Sequence, residues 1–225
     1  MASDDRAGIV LVPGLIHVPG YLDAAAQARL AAALDAALER APAYTPCMPR
    51  TGRPFSVRMS NCGPLGWVSD RAGYRYQPHH PGTGRPWPPI PDVALAAWDA
   101  LSGYPAPPEA CLVNLYASGA RMGLHQDRDE DALDAPVVSL SLGATALFRY
   151  GGLARNDPTR SVRLRAGDAL VIGGPARLIH HGVDRLIPEA PDLLHGGAGP
   201  APMRALPPGG RCNLTLRRVT RPSGA

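Results

Sequence analysis

Lysine is absent: all 23 basic residues are arginine, set against 19 acidic ones for a net charge of +4 and an isoelectric point near 9.1. A bias toward Ala, Gly and Pro, of the kind GC-rich coding produces, accounts for the missing lysines. The remaining cation has a planar fork suited to phosphates and carboxylates, and the modest positive charge permits a nucleic-acid partner without requiring one. Cysteine is scarce too. Cys47, Cys62, Cys111 and Cys212 show no Cys-x-x-Cys spacing, which excludes the common zinc and redox motifs; they read as reduced and structural, as in a cytosol. Long apolar runs are also missing. The run Ile9 to Val12 stops at Pro13 and nothing reaches membrane-spanning length, while the start Met-Ala-Ser-Asp-Asp-Arg is acidic where a secretory signal would be basic. A cytoplasmic protein without a membrane partner is expected.

What is present suits one globular domain: 225 residues, 45% of them hydrophobic. Gly8 to Val12 reads as a strand. Asp23 can cap a helix from about Ala24 to Glu39, whose Leu30, Leu34 and Leu38 form one packing stripe. Residues 41–91 change to Pro, Gly, Arg and aromatics, with Arg50, Arg53, Arg58, Trp67, Arg71, Tyr74, Arg75, Tyr76, Arg85 and Trp87; such a segment can track phosphates and stack bases, or be an irregular lid packed by its own rings. His79 and His80 within it read as exposed loop residues. Asp92 then caps a second helix over about 92–104, with Val93, Ala97, Trp98 and Leu101 inward and Gly103 ending it. Eight short strands follow: Cys111 to Tyr116, Gly123 to Gln126, Val137 to Leu142, Thr145 to Tyr150, Val162 to Arg165, Ala169 to Ile172, Leu178 to Val183 and Arg211 to Arg218. Spaced by Gly and Pro, they argue for a mainly β, jelly-roll or cupin-like double sheet over 110–218, with the two helices covering one face.

The chemistry concentrates in Gly123-Leu124-His125-Gln126-Asp127-Arg128-Asp129-Glu130. In an extended segment His125 and Asp127 point the same way, with Asp129 on that face too. Two imidazoles and a carboxylate on one side of an octahedron commonly hold Fe(II), leaving other positions open, so a second histidine is required. Leu178-Ile179-His180-His181-Gly182-Val183 offers two, and alternation allows only one of them to face the interior. The last strand, Arg211-Cys212-Asn213-Leu214-Thr215-Leu216-Arg217, sets Arg, Asn, Thr and Arg on one face against Cys, Leu and Leu on the other. Buried guanidinium groups need anionic partners, and Asn114 and Tyr116 supply a matching polar face. Together these would line a pocket for a small dicarboxylate.

In this order, His125-x-Asp127, His181 and Arg211-x5-Arg217 resemble the Fe(II)/2-oxoglutarate dioxygenases. The stretches Asn61-Cys62-Gly63-Pro64-Leu65-Gly66-Trp67, Asn114-Leu115-Tyr116, Leu124 to Glu130, Gly151 to Pro158 and Arg211 to Arg217 resemble the AlkB family of nucleic-acid demethylases, over about Gly8 to Arg218. The resemblance implies a double-stranded β-helix core with a nucleotide-recognition lid. It makes His125, Asp127 and His181 the iron ligands and assigns Asn114, Leu115, Tyr116, Arg211, Asn213 and Arg217 to 2-oxoglutarate. It places Trp67, Tyr74, Arg75, Tyr76, Asp129 and Arg155 against the substrate. The implied cofactors are Fe(II), 2-oxoglutarate as co-substrate and O2. The implied activity is oxidative demethylation of 1-methyladenine and 3-methylcytosine in single- or double-stranded DNA, by a monomer, releasing formaldehyde, succinate and CO2. RNA or another methylated substrate is the alternative within that mechanism, and a non-catalytic nucleic-acid-binding module the alternative outside it. The connection from His181 to Arg211 is longer than expected for bacterial members and reads as a surface insertion over 188–208.

Overall fold

The computed structural model describes residues 8–188 and 203–222; most of the proposed insertion, residues 189–202, lies outside the described residues. The chain opens with β1 (Ile9–Val12) and β2 (Leu15–Val18), then α1 (Ala24–Arg40). The Asp23 carboxylate accepts the Ala26 N–H at 2.7 Å and caps this helix. Next come β3 (Arg58–Cys62), β4 (Gly66–Asp70) and β5 (Gly73–Gln77), then α2 (Asp92–Leu101). The remaining strands are β6 (Ala110–Tyr116), β7 (Met122–His125), β8 (Val137–Gly143), β9 (Ala146–Tyr150), β10 (Arg160–Leu164), β11 (Ala169–Ile172), β12 (His181–Leu186) and β13 (Arg211–Arg217).

Two antiparallel sheets enclose the site. The large one runs β1-β2-β11-β8-β13-β6-β3 and the small one β10-β9-β12-β7, while β4 and β5 form a separate hairpin. This is the double-sheet jelly roll expected. Alternation along the large sheet builds two cores. Cys111, Val113, Leu115, Leu140, Cys212, Leu214 and Leu216 face the helices and pack with Leu30, Leu34 and Trp98. Leu112, Tyr116, Val137, Leu170 and Ile172 face the small sheet and meet Phe148, Tyr150, Leu164 and Val183. The returning end of the insertion joins the helix side: Met203 is buried there, and Arg204 bonds Asp35 and Glu39 of α1.

Several expectations need correction. Residues 41–91 are only partly irregular: they contain three short strands, and β3 pairs with β6 as the edge of the large sheet. Asp92 does not cap α2; Pro91 stands at the cap, and Asp92 lies in the first turn, where its charge suits the helix dipole. The strand after the paired histidines begins at His181 rather than Leu178, because a 3-10 turn over Gly174–Ala176 carries the chain up to it. His80 is buried, not exposed. Its Nε2 bonds the Pro42 carbonyl at 2.8 Å, and its Nδ1 accepts the Gly82 and Thr83 N–H groups, so it organises the loop around it.

Candidate active site

The centre of the site lies where β7 and β12 pair, with His125 directly opposite His181. Gly182 permits this approach, because a Cβ there would come within 2.5 Å of the Met122 carbonyl oxygen and 2.8 Å of that of Gly123. Asp127 completes the group: its carboxylate lies 3.5 Å from His125 Nε2 and 3.7 Å from His181 Nε2. One ligand atom from each of the three lies within 4.8 Å of the others. Of the two adjacent histidines His181 is the more buried, and it is the one that groups with His125 and Asp127. Asp129 does not share the ligand face; β7 ends at His125, alternation ends with it, and Asp129 turns toward the hairpin instead.

These residues suit a divalent metal by their donor chemistry. His125 Nδ1 bonds the Gly123 carbonyl at 2.9 Å and His181 Nδ1 that of Ile179 at 3.1 Å. Each ring thus uses its Nδ1–H on backbone and turns the Nε2 lone pair toward the other ligands. Burial lowers the His181 pKa to about 4, so this imidazole is neutral at pH 7. Burial opposes charge on Asp127, but Arg217 and the two histidines outweigh it and hold the carboxyl well below the usual range.

A cavity of about 1050 Å³ opens beside the triad, enough for a small dicarboxylate and a base together. Asn114, Tyr116, Arg211, Asn213 and Arg217 line it. Arg211 is 1% exposed, yet its partners are neutral: the carbonyls of Ala144 and Leu164, and Ser141 Oγ at 2.7 Å. Burial lowers its pKa. Its Nε and the Asn114 Oδ1 are buried without a hydrogen-bond partner, a cost that a bound carboxylate relieves at the cation. Leu115 does not join this group, because its side chain faces the helices.

Arg217 is committed differently. It bonds Asp127 at 2.8 Å and Glu130 at 3.0 Å. Glu130 also pairs with Arg177 at 3.0 Å and accepts a bond from the Tyr76 hydroxyl, and Arg177 donates to the Asp127 carbonyl and to that of Ala135. Two buried cations and two buried anions therefore fix Asp127 and fasten the hairpin to the core. Sequence reasoning missed the roles of Glu130 and Arg177; the only signal was the acidic run after His125. It named Asn61 but missed its role: the buried amide bonds both the N–H and the C=O of Trp67 at 3.0 Å.

At the mouth, Trp67 stacks on Tyr74 with ring centres 5.5 Å apart, and its indole N–H donates to Asp129 at 2.8 Å. Arg155, from the β9–β10 connection, reaches the Leu124 carbonyl and lines the same mouth. Tyr76 and Arg75 do not line the cavity. Tyr76 is drawn into the Glu130–Arg217 network, and Arg75 forms a two-pronged pair with Asp70 within the hairpin.

A family model of the 2OG-Fe(II) oxygenase superfamily matches residues 14–217. The alpha-ketoglutarate-dependent dioxygenase AlkB homolog of Caulobacter vibrioides is 50% identical over 94% of this chain and 90% of its own. The Escherichia coli alpha-ketoglutarate-dependent dioxygenase AlkB is 49% identical over 60% of this chain and 64% of its own. Among solved structures, that of OsALKBH1 superposes with a TM-score of 0.72 at 30% identity, covering 94% of this chain and 100% of that one.

Proposed function

The chain belongs to the 2OG-Fe(II) oxygenase superfamily and to its AlkB family, and from that membership we propose that it repairs DNA by removing methyl groups from N1 of adenine and N3 of cytosine. It is an Fe(II)- and 2-oxoglutarate-dependent dioxygenase. When bound at this site, Fe(II) supplies the redox chemistry that couples O2 and 2-oxoglutarate to hydroxylation of an N-methyl group, giving succinate, CO2, formaldehyde and the restored base.

The chain's own residues bind, orient and shield. His125, Asp127 and His181 would hold the metal, and Arg177 and Arg217 keep Asp127 in place. Arg211 takes the far carboxylate of 2-oxoglutarate, with Asn114, Tyr116 and Asn213 around it. The observation that carries this assignment is Arg211 itself: a buried guanidinium without a carboxylate within ion-pair distance among the described residues. Trp67 supplies the stacking face for a base that has left the duplex or comes from a single strand. N1- or N3-methylation makes that base cationic, and Asp129 beside the indole favours a cation.

The test is an aerobic assay with Fe(II), ascorbate and 2-oxoglutarate on a single-stranded oligonucleotide carrying one 3-methylcytosine, following formaldehyde and base mass. Repair is expected to require all three of iron, 2-oxoglutarate and O2, and Asp127→Ala is expected to abolish it while oligonucleotide binding persists. Succinate formed without repair would keep the dioxygenase and reject the substrate. Substantial repair by Asp127→Ala would reject the ligand assignment.

A further inference from the structure

The outer face of the small sheet carries a second concentration of arginines, which the site above does not use. Along β9 and β10 the alternation that turns Phe148, Tyr150, Val162 and Leu164 inward sends Leu147, Arg149, Ser161 and Arg163 outward. The register aligns these with β12 in cross-strand rows, Ser161 with Arg149 and Gly182, and Arg163 with Leu147 and Arg185. At about 4.8 Å per strand spacing, Arg163 and Arg185 stand about 10 Å apart across Leu147. Beyond them Arg165 lines an open groove of about 520 Å³, with Pro19, Leu147, Ser161 and Arg163 among its walls.

The face is basic, and Arg149 links it to the cavity mouth. Arg163 and Arg165 are exposed and have no ion pair among the described residues. Among the described residues the carboxylates nearby are Asp184, which pairs with Arg185 at 2.7 Å and lies 3.7 Å from Arg149, and Asp168, which lines the groove but is buried against His17. Among the described residues four arginines thus face one half-exposed carboxylate. Arg149 and Asp184 also line the mouth of the catalytic cavity, and Ser161, the partner of Arg149, lines the outer groove.

We propose that this face is a phosphate track, along which the strand carrying the target base runs from the mouth past Arg149 and over Arg163, Arg165 and Arg185. The inference rests on the nucleic-acid reading of the site. It predicts that long strands use contacts that short ones never reach.

The test compares the native protein with Arg163→Gln/Arg185→Gln; both residues are exposed, Arg185 with 65% of its side chain accessible, so the fold is not at risk. Two single-stranded DNA probes span the usual range of groove site sizes, about 16 and about four nucleotides. For the undamaged long probe, the slope of log Kd against log salt is expected to fall by about 0.7 for each arginine removed. Turnover of the short probe carrying 3-methylcytosine is expected to stay unchanged. An unaltered slope overturns the track, and so does an equal loss on both lengths, which would put the effect in the cavity. Because binding of the undamaged strand is read directly, native protein that binds it without repairing the lesion keeps the track and rejects the repair reading. Native protein that fails to bind it at low salt overturns the track.

Discussion

Trp67 is held through its backbone, its edge and one ring face. Its backbone is clamped by Asn61, its edge donates to Asp129, and one ring face lies on Tyr74. The remaining face is where a base would stack, a contact worth about 1–3 kcal/mol. Trp67→Ala should therefore raise the oligonucleotide KM by roughly one to two orders of magnitude while leaving slow, substrate-free decay of 2-oxoglutarate near its native rate. Kinetics on 3-methylcytosine DNA with parallel succinate measurement checks this, and an unchanged KM removes the stacking role. At this scale the site is partly legible in the sequence. His125, Asp127 and Arg211 stand out because their types and spacing have few other uses. Glu130, Arg177 and Asn61 do not, because their partners are 47 residues away in sequence for the first two and backbone atoms for the third. No local pattern encodes such partners.

Between elements, one polar join stands out in the large sheet. The Nε2–H of His17 on β2 donates to Asp168 at 2.9 Å, and the same carboxylate accepts the N–H groups of Gly20 and Arg165 just before β11. Burial works against this carboxylate, but those bonds outweigh it and hold its pKa below the usual 3.8. The sign follows: a carboxyl depressed on folding adds stability that is fully present above its unfolded pKa and is lost as pH falls through the folded value. Asp168→Asn should cost about 1–3 kcal/mol at neutral pH, the scale of buried groups left unsatisfied, and should flatten the loss of stability below about pH 4. Urea unfolding from pH 3 to 7 reads both effects, and a variant that tracks the native curve disproves the role. Elements differ in how plainly the sequence announces them. β8, β11 and β13 are legible because strict alternation or a short apolar run marks them. β2 is four residues hemmed in by Pro13-Gly14 and Pro19-Gly20, and β3 to β5 are rich in Arg, Ser, Gly and Tyr. Those strands form because β11, β6 and each other supply ladders, which is tertiary information.

Over the whole molecule, the large sheet divides an apolar core beneath the helices from a cavity in which charge is incompletely matched. Ligands that bind only the folded chain therefore stabilise all of it. A divalent metal with 2-oxoglutarate at about a hundred times its Kd contributes about 2.7 kcal/mol, which for a chain of this size raises Tm by roughly 5–10 °C. Anaerobic melts should show this rise, its reversal by a chelator, and loss of the 2-oxoglutarate part alone in Arg211→Met. A melt insensitive to 2-oxoglutarate in the native protein would contradict the placement of its carboxylate. The same architecture equips the molecule with an optical reporter. Of its three indoles, Trp98 is sealed beneath the helices and Trp87 behind the hairpin, at 1% and 5% exposure, while Trp67 alone stands partly open at the cavity mouth. An ionic quencher in solution reaches that ring and spares the other two, so the quenchable share of the emission measures whether the mouth is empty or filled, without a label and without turnover.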